Sequence, residues 1–474
     1  MAELLTVEMT IDGKSVSSEE CADVIDPATE EAWARVPECS AEQLDEAFTT
    51  AAAAQPSWAE DEAARIAAIH AVADVMRLHE DELSEMLTRE QGKPRVEARF
   101  EIQLAATWLD DMADLEVPAE RALRQLPGLA VRSERRPLGV VAAITPWNFP
   151  IVLACWKLGP ALRSGNTVVL KPSPYTPVST LRMGQLIAEV VPAGVVNVVS
   201  GGDDVGKMMT GHPVPAKVSF TGSVESGKSV ARSAADDLKR ITLELGGNDP
   251  AILLEEVDLA DAAEKIFVLA FANNGQLCGC IKRVYVPSRH RDTVAEMIAA
   301  KARAATVGPG IADASDYGPI NNRPQYERVI ELLEDALANG ATALSGGAPL
   351  EGRGYFLPPT VLVGVAPDSR IVQEEQFGPV LPIIGYDDLE AVLNDVNESH
   401  YGLGSSVWGS DPVAVAAVAA RLASGTVFIN THSIADPAIP VGGTRWSGIG
   451  VENGVEGLHQ FSELHVTFEA QPVD

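Results

Sequence analysis

Three segments of the chain carry side chains whose types suit nucleophilic catalysis. Cys278 follows a predicted helix and Gly275, a place where a thiol can face a cleft, although a buried structural thiol is the alternative. Glu244 ends an apolar run, where partial burial would raise its pKa and make it a base near neutral pH. Two glycines follow it and let backbone approach a ligand; an exposed strand-end glutamate is the alternative. Asn148, between two prolines, either donates a hydrogen bond to an oxyanion or forms a turn.

These side chains belong to an alternation of apolar runs and amphipathic stretches. Buried strands separated by helices predict βαβ units and a parallel, doubly wound sheet. Ligands of such sheets bind at the carboxyl ends of the strands, which is where Glu244 and Asn148 fall. The apolar runs are 140–144, 167–171, 195–199, 217–220 and 241–245, and helical segments at 176–191 and 223–238 lie between them.

A second alternating set begins after Gly247 and predicts another α/β unit. Its apolar runs are 251–257, 283–287, 379–386 and 425–430, with helices at 258–273, 288–304 and 323–338. In the N-terminal third, Ser40 and Gln43 form a capping-box pattern that predicts a helix ending before Pro56. A further helix is expected from 61 to 91.

Composition narrows the class of protein. A chain of 474 residues exceeds what one core usually organises, so two or three domains are expected. The net charge of −31 argues against a nucleic-acid site, which needs a basic face. No secretory leader or membrane span is predicted. Five cysteines in so long a chain do not make a disulfide framework, and no metal site is predicted, so we expect a cytoplasmic protein.

Taken together, the motifs resemble those of the aldehyde dehydrogenase superfamily, in order and at family-like spacing, from about Arg135 to Phe461. Ordered matches over most of the chain are far more specific than any single motif. The matching segments are TPWNFP (145–150), KPS (171–173), FTGS (220–223), LELGG (243–247), GQLC (275–278), EEQFGP (374–379) and a closing P-x-G-G…S-G-x-G (440–450).

The resemblance implies an α/β fold with a Rossmann-like doubly wound coenzyme domain, a second α/β catalytic domain and a small β oligomerisation extension. The implied coenzyme domain comprises 1–114 and 137–247, the catalytic domain 248–446, and the bridging segments 115–136 and 447–474. An exposed strand edge invites aggregation, so burying the extension between subunits makes physical sense. A homodimer or a homotetramer is therefore expected.

Carried over residue by residue, the resemblance makes Cys278 the nucleophile that attacks an aldehyde carbon. Asn148 and the Cys278 N–H would hold the oxyanion, and Glu244 would activate the water that hydrolyses the thioester. Lys157 and Glu452 match positions that support proton relay from that glutamate. The implied reaction is NAD(P)-dependent oxidation of an aldehyde to a carboxylic acid through a thiohemiacetal and a thioester.

The resemblance also implies how the cofactor is held. No G-x-G-x-x-G follows the first strand, so the usual dinucleotide fingerprint is absent. Instead a helix opening at Gly222, Ser223 and Gly227 would face the pyrophosphate. The other implied contacts are Lys171 on the adenine ribose, Glu375 on the nicotinamide ribose, Phe377 beside the nicotinamide, and Thr145, Trp147, Ser173, Pro174, Leu245 and Gly246. Many NAD-preferring members carry a glutamate where Pro174 stands, so NAD is expected to be slightly preferred and NADP usable.

The implied substrate pocket comprises Phe149, Trp156, Leu277, Ala435 and Val441. Val441 and Ala435 stand where the family often has aromatic residues, which would widen the pocket. Trp156 and Ala272 occupy positions that carry arginines in succinate-semialdehyde members. A neutral, medium-sized aliphatic or aromatic aldehyde is therefore expected.

Alternatives remain open at this level. Coenzyme-A-acylating members of the superfamily typically lack the glutamate base, which is present here as Glu244. A short-semialdehyde dehydrogenase and a non-catalytic structural member are the other candidates. Cys280 forms a C-x-C pair with Cys278, and is either a spectator thiol or the partner in an inactivating disulfide.

Overall fold

The computed structural model describes residues 4–116, 121–122 and 128–471, and for 121–122 it describes the backbone alone. The predicted α/β fold class is confirmed. Two large sheets, each flanked by helices, account for most of the described chain, and two three-stranded sheets lie beside them. No helix among the described residues is long and apolar enough to cross a membrane.

The first large sheet contains the five predicted parallel strands. In chain order they are Val140–Ile144, Thr167–Lys171, Val196–Val198, Lys217–Thr221 and Arg240–Glu244, and their spatial order is 3-2-1-4-5. This is the doubly wound order, whose ligand crevice lies between strands one and four. Antiparallel strands extend both edges: Met9–Ile11 and Lys14–Val16 at one, Gly448–Ile449 at the other.

Helices cover both faces of this sheet because their apolar stripes must be buried. Their bounds are Ala41–Glu60, Glu62–Leu78, Glu80–Gln91, Arg95–Asp114, Pro150–Arg163, Val178–Ile187, Asp203–Gly211 and Val224–Ala235. The predicted capping box at Ser40 and Gln43 is present.

Two predicted helix boundaries are wrong. The first helix passes through Pro56 and ends at Glu60. Near the end of a helix a proline removes only one backbone hydrogen bond, and the buried Trp58 holds the remaining residues in place. The Trp58 side chain is buried, and its Nε1 donates to the carbonyl of Leu162 at 3.3 Å. The helix expected from 61 to 91 is broken at His79 into two.

The second large sheet is also mainly parallel. Its spatial order is Thr342–Ser345, Thr360–Val363, Val380–Tyr386, Ile281–Pro287, Asp249–Leu253, Gly404–Trp408 and Thr426–Ile429, and only the first strand runs antiparallel to its neighbour. Apolar clusters cover its two faces. The associated helices are Leu259–Phe271, Ser288–Ala304, Arg323–Ala338, Arg370–Gln373, Leu389–Glu398 and Pro412–Ala419, with short 3-10 turns at Ala272–Gly275 and Arg445–Ser447. The last helix, Gly454–His459, instead contacts the helix Pro150–Arg163 beside the first sheet.

The smaller sheets lie at the periphery. Leu129–Pro137 pairs antiparallel with Ser462–Ala470 over nine residue pairs, and Arg121–Ala122 adds a third strand. The expected β segments near 115–136 and in the tail are thus present where the chain is described, whereas residues 117–120 and 123–127 lie outside the described part. Leu5–Thr6, Cys21–Asp26 and Glu31–Pro37 form the other small sheet.

Candidate active site

A cleft of about 700 Å³ opens at the switch point of the first sheet, between its first and fourth strands. Cys278 and Asn148 both line it, as do eleven of the twelve residues predicted to bind the cofactor. Those eleven are Thr145, Trp147, Lys171, Ser173, Pro174, Gly222, Ser223, Leu245, Gly246, Glu375 and Phe377.

The loop before Cys278 has an unusual backbone. The helix Leu259–Phe271 ends in a short turn whose residues Asn273, Asn274 and Gly275 have φ of 49°, 55° and 73°. Asparagine and glycine tolerate this left-handed region better than other residues. A Cβ on Gly275 would lie 2.4 Å from the carbonyl oxygen of Gly378, so this position needs glycine for space as well. Such local strain recurs at functional sites.

Gln276 fixes the loop with both ends of its amide. Its Nε2 donates to the carbonyl of Asn273 at 3.0 Å, and its Oε1 accepts from the N–H of Asn321 at 2.8 Å. Its backbone carbonyl accepts from Asn148 Nδ2 at 3.0 Å. The amide proposed to hold an oxyanion is therefore joined directly to the nucleophile loop.

The thiol of Cys278 is half-buried at the floor of the cleft. Burial raises its pKa to about 12, and the negative charges of Glu375, Glu244 and Asp249 act in the same direction, while Lys282 opposes them. The resting side chain is consequently a thiol rather than a thiolate.

A buried ion pair supports the Asn148 loop from below. Lys93 Nζ lies 2.6 Å from Glu101 Oε2 and donates to the carbonyl of Asn148 at 2.9 Å. The other carboxylate oxygen of Glu101 accepts from the N–H groups of Ile151 and Val152, at the start of the helix that follows. An anion at a helix N-terminus satisfies donors that the helix leaves free.

Glu244 ends the fifth strand and is buried without a hydrogen bond to its Oε1. Burial raises its pKa well above the usual range, the charge of Glu452 raises it further, and Lys157 lowers it. Lys157 Nζ lies 2.7 Å from Glu452 Oε1 and donates to Thr221 Oγ1, also at 2.7 Å. The structure thus brings the three predicted relay residues together in one buried group.

The closing motif (440–450) forms hydrogen bonds with the residues that directly follow Glu244. The N–H of Leu245 donates to the carbonyl of Ser447 at 3.0 Å, and Ser447 Oγ donates to the carbonyl of Gly246 at 2.7 Å. A Cβ on Gly246 would lie 2.1 Å from Glu375 Oε2, so a larger residue here would displace that carboxylate. The N–H of Gly247 donates to Glu375 Oε1 at 3.0 Å.

The far end of the cleft suits the adenosine part of a dinucleotide. Lys171 is buried there, which lowers its pKa to about 8. Ser223 caps the helix Val224–Ala235, whose N-terminus faces the cleft. Gly227 does not line the cleft; a Cβ there would lie 2.5 Å from Leu245 Cδ2, so it permits close helix–strand packing. Gln325 and Arg328 also line the cleft and were not predicted.

The predicted pocket residues lie outside this cleft, around the nucleophile loop and the closing motif. Phe149 packs under the ammonium of Lys93, 3.6 Å from its ring centroid. Trp156 and Leu277 are half-buried, and Ala435 is exposed. Val441 exchanges two backbone hydrogen bonds with Glu452, both of 2.8 Å, which ties that segment to the relay group.

Sequence reasoning missed a second support for the relay group. Trp108 stacks on Trp156 with ring centroids 4.8 Å apart, and its Nε1 donates to Asn453 Oδ1 at 2.8 Å. Trp156 and Asn453 are the chain neighbours of Lys157 and Glu452, the two residues predicted to relay a proton. Asn453 has φ of 64°, a strained conformation for a residue other than glycine. The sequence analysis predicted no element over the helix Arg95–Asp114, which carries Trp108, and a lone tryptophan gave no indication of this role.

Cys280 is fully buried beside the nucleophile loop, and both it and Cys278 are free thiols. Its Sγ donates to the carbonyl of Gly275 at 3.6 Å, and burial raises its pKa. The disulfide with Cys278 stays a prediction. No metal-binding cluster of His, Cys, Asp or Glu occurs among the described residues.

Comparison with known proteins agrees with this architecture. The sequence profile of the aldehyde dehydrogenase family matches residues 14–467. Phenylacetaldehyde dehydrogenase from Pseudomonas fluorescens is 36% identical over 96% of this chain and 94% of its own. The NAD⁺ complex of an aldehyde dehydrogenase from Bacillus cereus superposes with a TM-score of 0.96 at 35% identity, covering 98% of this chain and 96% of that one. An NADP-dependent enzyme from Escherichia coli superposes with a TM-score of 0.95 at 34% identity, covering 98% of both chains.

The sheet order and the cleft at its switch point are those of α/β oxidoreductases that bind dinucleotides. The chain belongs to the aldehyde dehydrogenase family. It is therefore an enzyme that oxidises aldehydes, and the similarity to both NAD- and NADP-dependent members supports NAD as cofactor with NADP usable.

The buried pair beneath Asn148 allows a stability prediction. Lys93→Met leaves the Glu101 carboxylate buried and unpaired, and should lower the free energy of unfolding by roughly 3–5 kcal/mol. Urea unfolding followed by fluorescence measures this. The double variant Lys93→Met, Glu101→Gln should recover part of the loss, and Lys265→Met, in an exposed pair, should leave the midpoint unchanged. A single variant no less stable than the double variant would refute the ion-pair account.

Proposed function

We propose that the chain oxidises an aldehyde to the carboxylic acid through a covalent thioester on Cys278, with NAD as hydride acceptor. The observation that carries the proposal is the placement of Cys278 and Asn148 in one cleft with Glu375 and the glycines that admit it. The cleft fits a dinucleotide because a capped helix N-terminus, a buried lysine and a buried carboxylate lie along it.

In this mechanism the sulfur of Cys278 loses its proton to water in the cleft and attacks the aldehyde carbon. The oxyanion that forms accepts hydrogen bonds from Asn148 Nδ2 and the N–H of Cys278. One of the two hydrogens on Asn148 Nδ2 is donated to the carbonyl of Gln276, and this bond orients the second hydrogen. When bound, NAD⁺ supplies the acceptor for the hydride that leaves the carbon, and Cys278 is then left as a thioester.

Glu244 is proposed as the base that removes a proton from the hydrolytic water. Its raised pKa makes it a stronger base than a solvated glutamate, and its unpartnered Oε1 is free to accept from water. Lys157 and Glu452 would carry the proton onward, since Glu452 keeps Oε2 unpartnered. Water rather than coenzyme A is thus the expected acyl acceptor, because an acylating enzyme has no need of this base.

The acyl-enzyme step can be tested directly. Glu244→Gln should form the thioester but hydrolyse it slowly, giving one burst of NADH per active site and a decrease in steady turnover of roughly 100-fold or more. Stopped-flow absorbance records the burst, and intact mass spectrometry locates the acyl group. Cys278→Ala, the control, should bind NAD⁺ but show neither burst nor adduct. A burst in Cys278→Ala would contradict the assignment of the nucleophile.

The pH dependence of thioester hydrolysis follows from the raised pKa of Glu244. Only the carboxylate form is a base, so hydrolysis should slow as the pH falls through this raised pKa. Glu452→Gln removes a negative charge that raises the pKa, so the midpoint should move to lower pH by about one unit. Single-turnover hydrolysis rates across a pH series measure it. Glu469→Gln, the same change on the peripheral sheet, should not move the midpoint; an upward shift in Glu452→Gln would be inconsistent with the account.

Cofactor preference should be modest. Pro174 lines the adenosine end of the cleft and offers a ribose neither an acceptor nor a charge. We expect NAD to exceed NADP in kcat/KM by less than ~1000-fold, since one lost contact rarely gives more. Pro174→Glu should raise the ratio by about tenfold or more through repulsion of the 2′-phosphate. If Pro174→Glu leaves the NAD-to-NADP ratio of kcat/KM unchanged, Pro174 does not determine the cofactor preference.

The proposed substrate is a neutral, medium-sized aliphatic or aromatic aldehyde. Neither Trp156 nor Ala272 offers a cation to a distal carboxylate. A matched pair, succinate semialdehyde and its methyl ester, isolates that charge: the ester should have the higher kcat/KM by at least about tenfold. Hexanal and phenylacetaldehyde extend the series. A panel that peaks on succinate semialdehyde would overturn this proposal.

We propose that the extension pairs subunits in a homodimer or homotetramer. The strand Ser462–Ala470 exposes Leu464, Val466 and Phe468, every second residue and therefore on one face. Exposed apolar side chains in a row on a strand favour burial against another chain.

A further inference from the structure

Lys282 is a buried cation that the mechanism above does not use. It lies at the start of the strand Ile281–Pro287, four residues after Cys278, and its side chain is 1% exposed. An ammonium group removed from water is costly unless hydrogen bonds and charges compensate it. The partners of Lys282 therefore indicate what this position is built to hold.

One set of partners belongs to the nucleophile loop. Lys282 Nζ donates to the carbonyl of Leu277 at 2.5 Å and to the carbonyl of Cys278 at 3.3 Å. Both hydrogen bonds join residues only four or five positions apart, and they hold the short segment that contains the cysteine in one conformation. The two carbonyls flank the N–H of Cys278, so their orientation also fixes the direction of that donor.

The other partners belong to the wall proposed to hold the nicotinamide ribose. Lys282 Nζ lies 3.5 Å from Glu375 Oε1 and 5.1 Å from the ring centroid of Phe377. The same Glu375 oxygen accepts from the N–H of Gly247. One ammonium group therefore touches both the loop of the nucleophile and the carboxylate of the cofactor wall.

The charges around this ammonium are predominantly negative. The pKa of Lys282 is raised overall: burial lowers it, whereas the charges of Cys280 and Cys278 when ionised, and those of Glu375 and Asp249, raise it. Asp249 also faces His432, with 3.4 Å between its Oδ2 and Nε2. Lys282 lowers the pKa of Cys278, whereas the carboxylates of Glu375, Glu244 and Asp249 raise it.

We propose that Lys282 is a positioning residue that ties the loop of Cys278 to Glu375 and supplies the positive charge that favours the thiolate of Cys278. The proposal rests on Cys278 being the nucleophile, as proposed above. Lys282 touches neither the aldehyde nor the transferred hydride in this scheme. It acts through the geometry of the cysteine loop and through a positive charge 3.3 Å from the carbonyl oxygen of Cys278.

The test measures alkylation of Cys278 by iodoacetamide against pH, in a Cys280→Ala background so that one thiol of the pair reacts. Mass spectrometry confirms the modified residue. The thiol is mostly protonated below the midpoint, so a shift is measured as a change in alkylation rate at each fixed pH. Lys282→Met should lower that rate by about tenfold, which corresponds to an upward shift of about one pH unit in the midpoint, and Lys282→Arg should keep it near the parent. Binding of NAD⁺ followed by calorimetry should weaken by about tenfold in Lys282→Met, because Glu375 loses a charged partner.

Lys282→Gln keeps a donor for the two carbonyls without the charge, and serves where the methionine variant does not fold. Its midpoint should also rise. Lys217→Met removes an equally buried lysine that bonds Thr242, and should leave the profile unmoved. An unshifted midpoint in both Lys282→Met and Lys282→Gln, or an equal shift in Lys282→Arg, would overturn the proposal.

The same experiment separates this inference from the mechanism it rests on. Alkylation of Cys278 that leaves turnover intact would defeat the assignment of the nucleophile. Alkylation that abolishes turnover, with a profile indifferent to Lys282, would defeat the role of Lys282 alone.

Discussion

The site depends on one hydrogen bond that joins its two halves, from Asn148 Nδ2 to the carbonyl of Gln276 at 3.0 Å. Asn148 follows the first strand of the doubly wound sheet, and Gln276 belongs to the loop that leads into the second sheet. The bond spans 128 residues of chain, so it forms only when both units are folded and correctly placed. It places an amide donor beside the cysteine, which is the geometry that oxyanion stabilisation requires.

Buried lysine–carboxylate pairs hold the surroundings of this bond in place. Lys93 with Glu101 supports the Asn148 loop, Lys157 with Glu452 adjoins Glu244, and Lys282 with Glu375 adjoins Cys278. Buried ion pairs contribute little net stability, because desolvation offsets their attraction, but they restrict where their partners can lie. In a chain of net charge −31, these lysines also neutralise buried carboxylates that would otherwise repel an anionic cofactor and an oxyanion.

The sequence predicted the five parallel strands of the first sheet within one or two residues, because short apolar runs between helices are typical of buried strands in an α/β protein. The family resemblance predicted that Cys278, Asn148 and the lining of the cleft would meet, and the pattern of strands placed Asn148 at the carboxyl edge of the sheet. The sequence analysis missed the strand Gly404–Trp408, whose glycine and serines lack an apolar pattern, and the helix that continues through Pro56. Lys93, Lys282 and Trp108 were missed because their roles arise from distant partners, which no local pattern reveals.

The central claim is that a thiol, an amide and a carboxylate from separate segments converge beside a bound nicotinamide ring. A crystal structure of the NAD⁺ complex tests it most directly. The account predicts the nicotinamide ribose on the carboxylate of Glu375, with the sulfur of Cys278 and the amide of Asn148 facing the same side of the ring. A ring bound elsewhere, or a sulfur turned away from it, would contradict the account.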